Sequence, residues 1–471
     1  MTGGADVLYR VYVTVLLLAV LAGPTLYTLM VSFSSPPLVT FIEHAEFPAL
    51  VVAGTGLLLA AALAAGRTRG PVVMSPFRIH LIAGGPQPRR VSLRGRFRSV
   101  LLLLLLLASV LGAVPQAALL RAGAAGPTTL VQGALAGATV GVLVAVAWLA
   151  GQALTPRTTT CAAAACLIVI GGLALRWPGP LGLAGWGALF AVAVGLLVLV
   201  PPLLDRLSGP ILLEQAHRWR SATTAGGAGD LSAAAGTYRT RPRRPGPIRA
   251  VGDSTLLPVL FLRRDLIGAA RTPVRSVVAA AALCLAILVG ALSTTLPDQM
   301  TWVAIGTSSV MGYLALGVWS DGFRHAVEAS AAPTLYGLSD HQLVGMHALL
   351  PFAVVLTLGP LAGLLAVLFG GQPLMAALAL GGALFCVVVR MFDAAKGPMP
   401  LILLTPAPTP MGDASAIPVA LWQADALLLA TLVPTAIGAT ALTLGSGLPI
   451  LAYIPATAAV LLALRHRVRT T

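Results

Sequence analysis

The sequence predicts an all-α, polytopic membrane protein of about twelve transmembrane helices, arranged as two six-helix halves with both termini cytoplasmic. Three observations carry this expectation. Of 471 residues, 57% are hydrophobic and only 10% charged, whereas an ordinary soluble domain carries roughly 25% charged residues. Twelve apolar runs meet or approach the roughly 20 residues a helix needs to cross a hydrocarbon core about 30 Å thick. When those runs are threaded in order, nearly all basic residues fall on one side of the membrane. Glycine (50) and proline (35) are numerous but scattered among apolar runs, which excludes a disordered or collagen-like chain.

The first-half spans are predicted at 11–33, 48–65, 100–120, 128–149, 161–175 and 181–204. Those of the second half are 275–292, 302–320, 346–369, 374–389, 421–442 and 448–464. The run 11–33 exceeds the apolar core of a signal peptide and no small-x-small cleavage site follows it, so it reads as a retained first helix. The two short runs, 161–175 and 374–389, admit a re-entrant reading beside a crossing one. In the fourth span Gly133, Gly137 and Gly141 recur every fourth residue on one face. This is a close-packing signal, read first as packing within the chain and second as a dimer seam. Cys161, Cys166, Cys284 and Cys386 all fall inside spans, which reads as buried reduced thiols with neither a disulfide framework nor zinc-ligand spacing. Trp148, Trp177, Trp302, Trp319 and Trp422 fall near span ends, where an aromatic belt places them.

With both termini inside, the inner segments hold all but two of the 30 Lys and Arg residues; only Arg121 and Arg176 lie outside, with Glu43, Glu46 and Asp298. The net charge of +15 is therefore a topology device and an attraction to anionic lipid headgroups, and nucleic acid is not expected as a partner. The longest polar stretch, 205–272, joins a first half, 1–204, to a second, 273–471. Within it, 207–223 reads as a helix with Glu214 and Arg218 paired at i and i+4. Residues 226–246 read as a Gly-, Pro- and Arg-rich loop. Residues 256–270 read as a basic amphipathic helix lying in the interface until Pro273 turns the chain. Each half also carries an inner segment between its second and third spans, 67–98 and 321–345, which suggests duplication about a pseudo-twofold axis.

Chemistry is sparse. The only lysine, Lys396, stands in Ala-Ala-Lys-Gly-Pro, which is no phosphate-binding loop, so the chain is not expected to hydrolyse ATP or to bind a cofactor itself. No Ser-His-acid set or carboxylate pair can be assembled at membrane depth, and Glu43, His44 and Glu46 read as solvated rather than as metal ligands. Asp425 is the only acid inside a predicted span and lies about one turn from its cytoplasmic end, with His347 similarly near an inner boundary. Asp425 reads as reaching the interface rather than as an ion ligand, and neither residue gives ion coupling much support.

Residues 260–274, Leu-Phe-Leu-Arg-Arg-Asp-Leu-Ile-Gly-Ala-Ala-Arg-Thr-Pro-Val, carry Arg263, Arg264, Asp265, Arg271 and Pro273. They resemble the basic-Asp-Leu lead-in helix and Arg-x-Pro turn of the type-2 ABC exporter permeases. The stretch from Asp321-Gly-Phe-Arg-His through Ala332-Pro333 to Leu338-Ser339 resembles the segment of those permeases that docks on the ATPase. In the first half, Ser75-Pro76-Phe77-Arg78 through Gly85-Pro86 occupies the equivalent place, although only residues 1–10 precede its first span, too few for a full lead-in helix. The tract from Thr405-Pro406 to Pro410-Met411-Gly412-Asp413 resembles actinobacterial permease-like membrane proteins, and 29 Arg to one Lys fits a GC-rich genome.

The resemblance implies a permease subunit of an ATP-driven exporter in the bacterial cytoplasmic membrane. Two copies of a separate ATPase, holding the ATP and magnesium, would press on coupling helices at 73–82 and 322–331. The residues implied in that coupling are Ser75, Pro76, Phe77 and Arg78, together with Phe323, Arg324, His325, Glu328 and Pro333. A lipid, peptide or antibiotic suits the apolar spans as cargo, and a further membrane subunit is left open. A major-facilitator-like carrier is the alternative, but 67–98 is long and acid-free where that family carries an Asp-Arg-x-Gly-Arg-Arg-like motif. A non-transporting membrane assembly or immunity protein is a third reading.

Overall fold

The computed structural model describes residues 36–43, 47–176, 181–227, 256–296, 298–330, 337–397, 399–405, 408–409, 412–413 and 415–470, with isolated positions in 27–34 and 234–250. Apart from such positions, the predicted first span lies outside the described residues, as does Pro333. Among the described residues the chain is helical, except for a short antiparallel ladder of β1 (Pro408–Thr409) and β2 (Gly412–Asp413). Among the described residues, nine helices are long and apolar enough to cross a membrane, and up to eleven spans result when two bent helix pairs are each taken as one. The chain is a multi-pass membrane protein. It divides into two compact units, Met1–Thr224 and Ala225–Thr471.

The first unit contains α1 (Pro36–Glu43), α2 (Phe47–Thr68), α3 (Pro76–Gly84), α4 (Arg89–Ser92) and α5 (Arg94–Arg121). It continues with α6 (Thr128–Ala153), α7 (Pro156–Leu175), α8 (Leu183–Gly195), α9 (Val200–Asp205) and α10 (Gly209–Gly227). A 3-10 turn joins α8 to α9, and together they form one candidate span. The short predicted run 161–175 is in fact a 20-residue helix, α7. Its polar start, Pro-Arg-Thr-Thr-Thr, reads as loop by hydropathy, yet Pro156 suits the first helical position and the Thr155 hydroxyl accepts from the Thr158 N–H at 3.4 Å. At about 1.5 Å per residue that length reaches across the hydrocarbon core.

Helix α6 is the hub of this unit and packs on α2, α5 and α8. Gly133, Gly137 and Gly141 face the α5 backbone at Gly112, Ala108 and Leu104; a Cβ on Gly141 would stand 2.8 Å from the Leu104 carbonyl oxygen. Close approach of two backbones is what the repeat supplies. On α5 itself, Leu102, Leu103, Leu106, Leu107 and Leu111 are exposed, as a lipid-facing surface requires.

The second unit runs α11 (Leu257–Ala270), α12 (Pro273–Ala291), α13 (Asp298–Leu316), α14 (Asp321–Ser330) and α15 (Asp340–Leu368). It ends with α16 (Pro373–Ala394), α17 (Ala416–Leu444) and α18 (Tyr453–Thr470). The short predicted run 374–389 is here a 22-residue helix, α16, carried past Val389 because the charges of Arg390 and Asp393 find partners within the unit. Ser339 starts α15 with a capping box: its hydroxyl accepts from the Gln342 N–H, and the Gln342 side chain accepts from the Ser339 N–H at 2.9 Å. Helix α16 is the hub, packed on α12, α13, α15, α17 and α18 around Met375, Phe385, Val387 and Val389.

Numbered by predicted span, the same partners recur in each unit. The third span packs on the fourth (α5 on α6; α15 on α16) and the second on the fifth (α2 on α7; α13 on α17). The second also packs on the fourth (α2 on α6; α13 on α16), and the fourth on the sixth (α6 on α8; α16 on α18).

One expectation changes. The cysteines are free thiols but not uniformly buried: Cys386 is, whereas Cys161 is exposed on α7. Helix α10 keeps the exposed face expected of 207–223 and adds a buried one. Glu214 and Arg218 do pair on its exposed face, while Leu212 and Ala216 on the other side join the first unit's core.

Candidate functional site

The second unit gathers its buried and half-buried ion pairs at the end where the basic residues lie. Helices α11 and α12 meet there at 101°. Pro273, which has no N–H to leave unbonded, opens α12, and the Ser276 hydroxyl donates to the Ala269 carbonyl at 2.8 Å across the corner. Helices α13 and α14 form a second corner, of 59°.

The C-terminus of α13 leaves carbonyls without helical donors, and two arginines from neighbouring spans supply them. Arg390 donates to the Tyr313 carbonyl through Nε (2.8 Å) and Nη2 (2.6 Å), and Arg275 Nη2 donates to the Gly317 carbonyl at 3.3 Å. Each arginine also meets a carboxylate. Arg275 Nη1 lies 2.8 Å from Asp321 Oδ2 in the first turn of α14, where the helix dipole favours an acid. Arg390 lies near Asp393, which also accepts from the Tyr313 hydroxyl at 3.0 Å.

Beside this corner three helices converge on one contact. His347 of α15, 1% exposed, places Nδ1 2.6 Å from Oδ2 of Asp265 on α11, 10% exposed. The Phe261 ring packs edge-on against the imidazole at 5.0 Å. Gly322, in the first turn of α14, closes the third side: a Cβ there would stand 2.9 Å from Asp265 Oδ2 and would overlap the imidazole. The contact thus ties the lead-in helix, the helix between the second and third spans, and the third span.

Helix α14 is amphipathic. Phe323 and Ala326 are buried in the unit's core, while His325 and Glu328 are exposed and 3.6 Å apart. In the first unit α3 has the same layout: Pro76 and Ile79 are buried, and Ser75, Phe77 and Arg78 are exposed. Pro76 and Phe323, expected among the residues that meet a partner, are anchors instead, because a short amphipathic helix must bury its apolar side to stay folded on the unit. Arg263 and Arg264 are exposed on α11, Pro273 is exposed, and Arg324 and Arg271 are half-buried.

Asp425, expected to reach the interface, is paired inside the unit instead. Asp425 Oδ1 lies 2.5 Å from Lys396 Nζ, and its Oδ2 lies 2.5 Å from Arg467 Nη2, so one carboxylate clasps α17 to the end of α16 and to α18. His347 is interior.

The first unit has its own polar node. Gln215 of α10 donates to the Gly66 and Arg67 carbonyls (both 3.1 Å) and accepts from the Gly70 N–H (3.2 Å) and from Gln152 Nε2 (2.7 Å). Sequence reasoning singled out none of Gln215, Arg275, Tyr313, Asp321, Arg390 or Asp393 as a site residue. The available signal, for Arg275, Asp321, Arg390 and Asp393, was their position at span ends.

Among the described residues, no three His, Cys, Asp or Glu side chains come together as a metal site. No family model, curated protein or solved structure matches the chain.

Proposed function

We propose that this chain is the membrane-spanning permease of an ATP-driven exporter whose ATPase is a separate subunit, present in two copies with its own ATP and magnesium. In this reading twelve spans form two six-helix halves, both termini are cytoplasmic, and the basic ends of the units face the ATPases in a bacterial cytoplasmic membrane.

One observation carries the reading. Helix α14 is anchored by Phe323 and tied through Gly322 to the Asp265–His347 contact, while it turns His325 and Glu328 outward. A push on that outer face is delivered at once to α11 and α15, because a packed core transmits displacement rather than absorbing it. That is what a coupling helix must do. The recurrence of span partners in the two units supports a second lever at α3, with Phe77 and Arg78 as its outer face. The apolar spans suit an amphipathic or hydrophobic cargo such as a lipid, peptide or antibiotic.

The test is substitution of the outer face alone. His325→Ala with Glu328→Ala is expected to insert and fold as the parent does, yet to lose the partner's ATPase stimulation. Unchanged stimulation in that variant, and in Phe77→Ala with Arg78→Ala, contradicts the proposal.

A further inference from the structure

A polar cleft of about 40 Å³ opens between α14 and the end of α16, lined by Gly317, Ser320, Asp321, Arg324, Arg390 and Asp393. The charged side chains around it are unequally satisfied. Asp321 is held by Arg275 at 2.8 Å. Arg390 spends Nε and Nη2 on the Tyr313 carbonyl, and Asp393 accepts from the Tyr313 hydroxyl at 3.0 Å. Arg324 alone of these four makes no hydrogen bond or ion pair among the described residues, although it is only half-exposed. The lining itself carries two arginines against two aspartates, but Arg275, from outside the lining, already neutralises Asp321, and Arg390 lies beside Asp393, which leaves the charge on Arg324 unmatched.

We propose that this cleft binds the phosphate group of an anionic membrane lipid. A guanidinium presents paired N–H donors that match phosphate oxygens, and Arg390 Nη1, at 3.5 Å from Asp393, keeps a donor for the same anion. The volume admits a few waters, or about the oxygens of one phosphate group. Depth selects the source: the cleft sits where the apolar lengths of α13 and α16 end, at Leu316 and Ala394, which is the level of the headgroups. A phosphate there bridges α14 to α16 and fixes the position of α14 against the fourth span. The proposal does not depend on the exporter reading.

The experiment measures thermal unfolding of the purified full chain in neutral detergent, titrated with phosphatidylglycerol, phosphatidylcholine or inorganic phosphate. Phosphatidylglycerol is expected to raise the midpoint of the parent, and phosphatidylcholine, whose choline offsets the charge, is not. Arg324→Gln should weaken the apparent affinity for phosphatidylglycerol by at least about tenfold, with its midpoint in detergent alone unchanged. Arg157→Gln, at an exposed arginine on α7, should respond as the parent does. The proposal is overturned if Arg324→Gln keeps the full response, or if phosphatidylcholine serves as well as phosphatidylglycerol. It is overturned equally if inorganic phosphate alone reproduces the Arg324-dependent rise, because the site would then take the free ion.

Discussion

Asp265 and His347 stand 82 residues apart in the chain and 2.6 Å apart in the fold, both withdrawn from solvent. Removing either leaves a buried polar group without its partner, which costs about 1–3 kcal/mol. Asp265→Ala and His347→Ala are each expected to lower the thermal midpoint of the purified chain, and the double variant should lose less than the two losses added together. Strict additivity in that cycle would show that the two side chains do not interact.

Gly322→Ala tests the third side of the same contact. The added methyl overlaps the imidazole and crowds the Asp265 carboxylate, so α14 must shift outward. The expected result is a loss of about 1–3 kcal/mol and weakened coupling to a partner ATPase. Gly345→Ala, where a Cβ meets nothing within 4 Å, serves as the control and should be near neutral.

The glycine stripe of α6 yields a graded prediction. A Cβ at Gly137 overlaps the Ala108 carbonyl of α5, whereas Cβ atoms at Gly171 and Gly172 of α7 meet nothing within 4 Å. Gly137→Ala should therefore destabilise the first unit by about 1–3 kcal/mol, and Gly171→Ala should leave it unchanged. Equal effects in detergent unfolding would mean that α5 and α6 are not in backbone contact.

Asp425 is expected to behave as a clasp rather than as a proton carrier. Asp425→Asn leaves Lys396 and Arg467 facing a neutral amide, so stability should fall by about 1–3 kcal/mol. The same substitution should leave any proton or sodium flux into vesicles containing the chain unchanged. A selective loss of ion flux, with stability intact, would instead favour an autonomous carrier.

What could be read in advance follows from the range of each interaction. Span positions depend on local hydropathy, and each predicted span within the described residues overlaps helical structure, that at 181–204 as α8 and α9 joined by a 3-10 turn. The lead-in helix and the turn at Pro273 were legible for the same reason, since a basic amphipathic stretch followed by Arg-x-Pro is a local signal. The ends of α7 and α16 were not, because caps and ion pairs hold polar residues in helices that hydropathy alone cuts short. The inward turn of Phe323 is encoded locally, in its i, i+3 spacing with Ala326. The pairings Arg275–Asp321, Arg390–Tyr313 and Asp265–His347 join residues 46 to 82 positions apart, and no local pattern encodes them.

Affinity purification of the tagged chain from its native membrane in mild detergent tests the central claim most directly. The account predicts a stoichiometric partner bearing a Walker A motif, with vanadate-sensitive ATPase activity that is lost when His325 and Glu328 are both replaced by alanine. A chain that is repeatedly recovered alone and inactive toward ATP under gentle conditions would contradict it.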